Sequence, residues 1–250
     1  MAFRRVGGLR FHVQQLGKNA TGAPVVMLHG LFTGSLASWW FTAAPAVART
    51  HPVRLLDLRG HGLSDCPPTG YDTATMVDDV LALTDDLPPF ALVGHSYGAL
   101  LGLRLALAHP GRVTALACVE APLVEMRDRG PDDERDAPSA DATDTERRLL
   151  TETSILADLR AESAVTDDDL RAVGVPLAFL FGRRSWCAPA AERVADVRPD
   201  ATLEVLDGGH AIHLDARAEV ADLLVTFLDG VPSPGPDNHD LLDPEAVPHG

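Results

Sequence analysis

The sequence predicts an α/β protein with a mostly parallel central sheet and helices on both of its faces. Apolar runs of strand length alternate along the chain with segments of helical spacing, and short loops join them. These runs are apolar throughout, which is typical of strands buried on both faces of a parallel sheet. In such a protein the functional sites lie at the carboxyl ends of the strands.

The first two predicted strands form a hairpin. Residues 3–6 and 9–16 are strand-like and are joined across Gly7-Gly8, a two-residue connection typical of a β-hairpin. A buried strand follows within residues 24–30. The remaining predicted elements are a helix over 36–49, a strand over 53–57, a helix over 73–86, a strand from 90, a helix ending near 108, a strand over 113–119, helix-like stretches over 146–159 and 167–172, a strand over 175–181, a helix over 190–197, a strand over 202–206 and a helix over 213–228.

An insertion interrupts this alternation. Residues 121–173 are rich in Asp, Glu and Arg, and we interpret them as a small helical lid; a solvated surface excursion is the alternative. The predicted core then comprises residues 1–120 and 174–230. Residues 231–250, which contain five prolines and little apolar periodicity, are predicted to be a disordered C-terminal tail.

Composition narrows the classes of partner. The formal net charge of −15 disfavours nucleic acids and anionic membranes, so we expect a small-molecule partner. No basic-then-apolar leader and no apolar run of about 20 residues is present, which predicts a cytoplasmic location. The three cysteines, Cys66, Cys118 and Cys187, are too scattered for a disulfide framework and lack metal-ligand spacing. No pattern in the sequence indicates an oligomeric state.

The most informative stretch is the pentapeptide from Gly94 to Gly98, which has the pattern Gly-x-Ser-x-Gly. A strand-like run enters it and an Ala/Leu-rich helical segment leaves it. A serine at the apex of such a strained turn needs small residues two positions before and after it, and the two glycines meet that need. The turn exposes the Ser96 hydroxyl beside the N-terminus of a helix, so Ser96 is a candidate nucleophile.

Four motifs in order make the chain resemble the α/β-hydrolase fold superfamily over residues 3–229. They are His29-Gly30, the run from Asp57 to Ser64, the Gly94 to Gly98 turn, and Gly208-Gly209-His210. The resemblance implies Ser96 as nucleophile and His210 as general base. It also implies an oxyanion hole formed by the backbone amides of Leu31 and Tyr97.

One position departs from the family pattern. The resemblance places the acid of the triad in a Gly-x-x-Asp-x-x-x-Pro loop, and here Ser185 stands where the aspartate is expected. One explanation is a relocated acid, Glu120, at the end of the preceding buried strand, where a carboxylate requires a partner. The alternatives are that Glu120 pairs with Arg183 or Arg184, or faces solvent. Two further acids, Asp207 and Asp215, are weaker substitutes because they flank His210 closely in sequence.

The expected function is a serine hydrolase that cleaves a carboxylic ester, lactone or thioester through an acyl-enzyme, without cofactor or metal. Four aromatic residues are candidates for the wall of the substrate site: Phe32, Trp39, Trp40 and Trp186. Alternatively, the triad is incomplete and the pocket serves a lyase, an isomerase, a cofactor-free oxygenase or a small-molecule receptor.

Overall fold

An eight-stranded sheet runs through the structure, a computed structural model that describes residues 2–123 and 141–231. The strand order is β1-β2-β4-β3-β5-β6-β7-β8. Strand β2 pairs with β1 and β4 in antiparallel fashion, and all pairs from β4 to β8 are parallel. The strands are β1 Ala2–Val6, β2 Leu9–Leu16, β3 Val25–Leu28, β4 Val53–Leu56, β5 Phe90–His95, β6 Val113–Val119, β7 Leu177–Gly182 and β8 Thr202–Leu206. This architecture confirms the predicted α/β fold.

The turn between β1 and β2 explains the register of the first two strands. Gly7 and Gly8 have φ values of 54° and 85°, the left-handed conformation that a two-residue hairpin of this type requires. Val6 consequently pairs with Leu9. The predicted hairpin is confirmed.

Helices cover both faces of the sheet. The helices are α1 Ala37–Trp40, α2 Ala44–Val47, α3 Thr73–Leu83, α4 Tyr97–Ala108, α5 Asp144–Glu152, α6 Ile155–Ala161, α7 Asp167–Ala172, α8 Ala190–Val197, α9 Ile212–Asp215 and α10 Arg217–Asp229. Alternate residues of β3 enter different cores: Val26 and Leu28 pack with α3, α4 and α8, whereas Val25 and Met27 pack with α1, α2, α9 and α10. No helix within the described ranges has the length and hydrophobicity needed to span a bilayer.

Three segments predicted as continuous helices are broken. The 36–49 segment divides into α1 and α2, with Pro45 in the first turn of α2, where its missing N–H costs nothing. The 213–228 segment divides at Ala216, whose φ and ψ are −115° and 48°. The 146–159 segment divides at Thr153, which is extended. The apolar spacing continues across each break, so periodicity alone predicted one helix.

The insertion between β6 and β7 packs against the core in its described part. Residues 124–140 lie outside the described residues, and 141–173 contain α5, α6 and α7. Asp158 accepts from the Tyr71 N–H at 2.9 Å, and the Ser154 N–H donates to the Pro68 carbonyl at 2.8 Å. Leu149 is fully buried in the core cluster. The function of the insertion as a lid stays a prediction, and the predicted tail lies outside the described residues beyond Val231.

Candidate active site

The turn between β5 and α4 holds Ser96 in a strained conformation. Its φ and ψ are 51° and −118°, which non-glycine residues rarely adopt. A Cβ at Gly94 would lie 2.3 Å from the Gly98 carbonyl oxygen, and a Cβ at Gly98 would lie 2.7 Å from the Leu28 carbonyl oxygen. The Ser96 N–H donates to the Val119 carbonyl at 2.8 Å and anchors the turn to β6. The predicted sharp strand-to-helix turn is therefore present.

A hydrogen-bonded series runs from Ser96 through His210 to Glu120. The distance from His210 Nε2 to Ser96 Oγ is 3.0 Å, and that from His210 Nδ1 to Glu120 Oε2 is also 3.0 Å. Since a carboxylate only accepts, Nδ1 carries the proton and Nε2 presents a lone pair to the Ser96 hydroxyl. Chemically, such an imidazole can take the serine proton while its own positive charge is balanced by the carboxylate.

Glu120 is fully buried and is held by donors on the neighbouring strand. The Gly182 N–H donates to Oε1, and the Ser185 hydroxyl donates to Oε2. Because β6 and β7 are parallel neighbours, their carboxyl ends lie side by side, and residues 120 and 185 meet there. These donors offset the cost of burying a carboxylate.

The alternative partners of Glu120, and the alternative acids for His210, form contacts elsewhere. Arg184 forms an ion pair with Asp207, and Arg183 donates to the Val205 carbonyl at 3.4 Å. Asp215 accepts from the Gly209 N–H at 2.8 Å and braces the loop before His210. The described contacts therefore match the relocated carboxylate and not the arginine alternative, while the catalytic role of Glu120 stays a prediction.

The loop after β3 approaches Ser96 from the opposite side. A Cβ at Gly30 would lie 3.1 Å from Ser96 Cβ, so the next residue, Leu31, is beside the turn. Within residues 2–123 and 141–231, neither the Leu31 N–H nor the Tyr97 N–H has a hydrogen-bond acceptor. An oxyanion hole requires two amide donors without partners beside the nucleophile, and this role of Leu31 and Tyr97 stays a prediction.

Buried histidines fix this loop. The Phe32 N–H donates to His61 Nε2 at 2.9 Å, and His61 Nδ1 donates to the Arg59 carbonyl at 2.8 Å. Burial, together with the neighbouring His29, lowers the pKa of His61 to about 3, so the ring is neutral and able to accept. His29 likewise accepts from the Leu58 N–H at 3.0 Å, and burial lowers its pKa. These hydrogen bonds brace the loops that carry His29 and His61.

Backbone strain is concentrated at this site. Among the described residues, the non-glycine residues with positive φ are Phe32, Ser96 and Glu120, at 65°, 51° and 58°. All three belong to the loops that surround the Ser96 hydroxyl. Strain of this kind costs about 1–3 kcal/mol per residue and persists where the surrounding structure holds it in place.

A second histidine holds the His210 loop. His95 Nε2 donates to the His210 carbonyl at 2.8 Å, which links the loop to the residue before Ser96. His213 lies against His95 with 4.3 Å between ring centroids. Burial lowers the pKa of His213 to about 4 and holds that of His95 well below its usual range, so both rings are neutral. No local pattern in the sequence indicates this contact, because β5 and the His210 loop are far apart in the chain.

The candidate wall residues divide into two groups. Trp186 is half exposed, and its ring centroid lies 5.0 Å from that of His210. Phe32 and Trp40 are partly buried. Trp39, by contrast, is fully buried, and its Nε1 donates to the Leu28 carbonyl at 2.8 Å. The prediction that Trp39 lines the substrate site is wrong, because its ring fills the core under α1.

Cys187 lies at the site, although the sequence indicated no role for it. Its thiol donates to the Glu120 carbonyl at 3.5 Å and lies 3.7 Å from His210 Nδ1. The ligand atoms of Glu120, Cys187 and His210 all lie within 4.8 Å of one another. Within the described residues, this group is the one close enough to hold a metal ion.

The fold and the site place the chain in the class of α/β proteins with a nucleophile elbow. Such proteins carry a serine on a strained strand-to-helix turn, and later loops supply a histidine and a carboxylate. A model of the α/β hydrolase fold family matches residues 23–194. The chain belongs to that family.

Comparisons with individual proteins agree. The chain is 30% identical over 246 residues to a putative carbamate hydrolase, RutD, of Cronobacter sakazakii, covering 83% of this chain and 91% of that protein. Est816, described as an N-acyl homoserine lactone degrading enzyme, superposes with a TM-score of 0.70 at 25% identity, covering 90% of this chain and all of that one (100%). The enol-lactonase of Burkholderia xenovorans LB400 gives a TM-score of 0.71 at 23% identity over 91% of this chain and 100% of that one.

Proposed function

We propose that the protein is a serine hydrolase that cleaves a carboxylic ester, lactone or thioester of a small molecule through an acyl-enzyme. The observation that carries this proposal is the pair of 3.0 Å contacts that join Ser96, His210 and Glu120. A serine hydroxyl is a poor nucleophile at neutral pH until an adjacent base removes its proton, and the geometry provides that base.

In the first step, Ser96 Oγ attacks the carbonyl carbon of the substrate while His210 Nε2 takes the hydroxyl proton. The carbonyl oxygen becomes negative and accepts hydrogen bonds from the Leu31 and Tyr97 N–H groups. Each such donor contributes about 3 kcal/mol to the transition state. The N-terminus of α4 adds its positive dipole end. The tetrahedral species then expels the leaving group, which takes the proton from His210.

In the second step, water attacks the acyl-enzyme by the same route. His210 removes a proton from the water and returns it to Ser96 as the acid product leaves. Glu120 stabilises the imidazolium in both steps. Ser185 and the Gly182 N–H act through Glu120, since they hold its carboxylate in the orientation that faces His210.

The surroundings of Ser96 and the comparisons support the proposed substrate class. Trp186 lies 5.0 Å from the His210 ring and Phe32 is in the loop beside Ser96, and their apolar surface suits an acyl group or lactone ring. Among the relatives at 25% identity or above, one is named for a carbamate and another for an N-acyl homoserine lactone, both small carbonyl compounds. The net charge of −15 supports a small substrate over nucleic acid. We propose that the reaction proceeds without a cofactor.

The test is intact-mass measurement after incubation with a fluorophosphonate. We expect one adduct on the wild type, no adduct on Ser96→Ala, and a normal adduct on Ser163→Ala, which removes an exposed serine. Turnover of a simple aryl ester then separates hydrolysis from binding. A wild-type chain that remains unlabelled would overturn the acyl-enzyme and favour a lyase, an isomerase, an oxygenase or a receptor in the same pocket.

A further inference from the structure

Three types of metal ligand meet on the side of His210 that faces away from Ser96: an imidazole nitrogen, a carboxylate and a thiol. Glu120 Oε2 lies 3.0 Å from Nδ1, and Cys187 Sγ lies 3.7 Å from the same nitrogen. The carboxylate and the thiol follow two neighbouring strands of the sheet, Glu120 after β6 and Cys187 after β7. Both residues are fully buried, whereas the His210 side chain is partly exposed.

These separations match those of a zinc coordination sphere. A tetrahedral zinc ion with Zn–N and Zn–O bonds of about 2.0 Å and a Zn–S bond of about 2.3 Å separates nitrogen from oxygen by about 3.3 Å. It separates sulfur from nitrogen by about 3.5 Å. The observed distances of 3.0 Å and 3.7 Å differ from these values by a few tenths of an ångström.

The ligand set also selects the metal. A thiolate, an imidazole and one carboxylate favour Zn²⁺ and similar soft divalent ions over Mg²⁺ or Ca²⁺, which prefer oxygen ligands. Three protein ligands leave a fourth tetrahedral position for water. The thiol and the imidazole therefore give this cluster a different metal preference from that of a cluster of carboxylates alone.

We propose that Glu120, Cys187 and His210 form an inhibitory site for Zn²⁺. On binding, the Cys187 thiol releases its proton to solvent and Nδ1 of His210 becomes a ligand. The imidazole stays neutral, and its proton moves through solvent from Nδ1 to Nε2. Nε2 then donates to Ser96 Oγ and no longer accepts its proton. The inhibitory consequence rests on the proposed function, whereas the binding does not.

Binding is tested first, with Co²⁺ as a spectroscopic substitute for Zn²⁺. We expect Co²⁺ to produce a thiolate-to-cobalt charge-transfer band in the wild type and in Ser96→Ala. The band should disappear in Cys187→Ala and in Cys187→Ser, and it should persist in Cys66→Ala, which removes a partly exposed cysteine elsewhere. Persistence of the band in both Cys187 variants would overturn the site.

Inhibition is tested by the rate of fluorophosphonate labelling, measured relative to the metal-free rate of each variant. Zn²⁺ should slow labelling of the wild type, and EDTA should restore it. Loss of an outer-shell partner of a ligand already weakens metal binding about 10- to 100-fold, so loss of the Cys187 ligand itself should raise the Zn²⁺ concentration for half inhibition at least as much. Cys66→Ala should match the wild type. Equal inhibition of Cys187→Ala and wild type would overturn the proposal. If metal-free protein is not labelled at all, the proposed function fails, and the Co²⁺ titration still decides the metal site.

Discussion

At the scale of single residues, Glu120 is the carboxylate that meets the histidine, although it follows β6 and the aspartate that the family pattern predicts would follow β7. Its two oxygens face different partners. Oε1 accepts from the Gly182 N–H, and Oε2 faces both His210 and Ser185. This division of partners determines what an amide in the same place would do.

Glu120→Gln should reduce kcat by about 10³- to 10⁴-fold. The Gly182 N–H requires the amide oxygen, so the NH₂ group would face His210 Nδ1 and force the proton onto Nε2, which then cannot accept from Ser96. Ester turnover should show this loss with KM nearly unchanged. Ser185→Ala is the matched control and should lose about tenfold at most, because Glu120 keeps its charge and its Gly182 contact. Equal losses in the two variants would contradict the assignment.

Sequence reasoning reached Ser96, His210 and Glu120 because each follows a recognisable strand or glycine pattern. It did not assign Cys187 or the His95 contact. Those side chains meet His210 only when loops distant in the chain converge, and nothing in their local sequence distinguishes them from ordinary core residues. The one feature that could have indicated Cys187 is its place in the chain, two residues after Ser185 in the loop where the acid is expected.

At the scale of elements, the β5–α4 turn depends on the absence of side chains at its two glycines. Gly98→Ala would place a methyl group 2.7 Å from the Leu28 and His29 carbonyl oxygens. We expect a loss of about 1–3 kcal/mol in the free energy of unfolding, together with slower fluorophosphonate labelling. Gly174→Ala is the control, since no atom lies within 4 Å of its added Cβ. Its free energy of unfolding in urea should change by less than about 0.5 kcal/mol.

The side chain of Arg193, on helix α8, contacts the insertion. Its guanidinium pairs with Asp167 at 2.7 Å and donates to the Leu123 and Val165 carbonyls, each at 2.6 Å. Arg193→Met should therefore increase limited proteolysis within 141–173 by about tenfold, because charged hydrogen bonds that oppose local opening are lost.

Arg171→Met is the matched control for the proteolysis experiment. Arg171 is exposed and pairs with Asp168 at 2.9 Å on the surface of α7, an interaction worth little. Its digestion rate should equal that of the wild type. If Arg193→Met is cut no faster than Arg171→Met, the guanidinium does not hold the insertion.

The bounds of strands and helices could be predicted from the sequence where turn residues and apolar periodicity agree. They were predicted less well where a tertiary contact sets the end of an element. Strands β6 and β8 and helix α8 begin and end at the predicted residues. The broken helices were not predicted, since residues such as Ala216 and Thr153 carry no strong helix-breaking signal of their own. Their conformations are imposed by packing of the flanking helices against the sheet.

At the scale of the whole molecule, buried neutral histidines link stability to pH. Burial lowers the pKa of His29, His61, His95 and His213 below the ordinary value of 6.5, to about 3 for His61 and about 4 for His213. As the pH falls below 6.5, the unfolded chain binds protons that the folded protein excludes. The free energy of unfolding should therefore fall on acidification by up to about 1.4 kcal/mol per pH unit for each histidine.

Urea denaturation between pH 7.5 and 5 measures this slope. His61→Gln removes one of the four groups, so its unfolding free energy should fall less steeply than that of the wild type between pH 6.5 and 5. Identical slopes for the two proteins would contradict the assignment of a neutral, buried His61.

The fold as a whole was accessible from sequence because wholly apolar strands require cover on both faces and a right-handed alternation with helices supplies it. The strand order, with β4 between β2 and β3, is a property of long-range pairing. No local pattern in the chain specifies it.

The neighbouring positions of Glu120 and Ser185 also bear on how such a site changes over evolutionary time. Ser185 Oγ contacts the same Glu120 oxygen that faces His210, so a carboxylate at 185 would lie close to that imidazole. A lineage that gains a carboxylate there before losing the one at 120 keeps a partner for the histidine at every step. In the intermediate with both acids, two close carboxylates repel each other, and this repulsion is relieved when they share a proton. Descent can therefore exchange the strand that supplies the acid while the serine and the histidine stay in place.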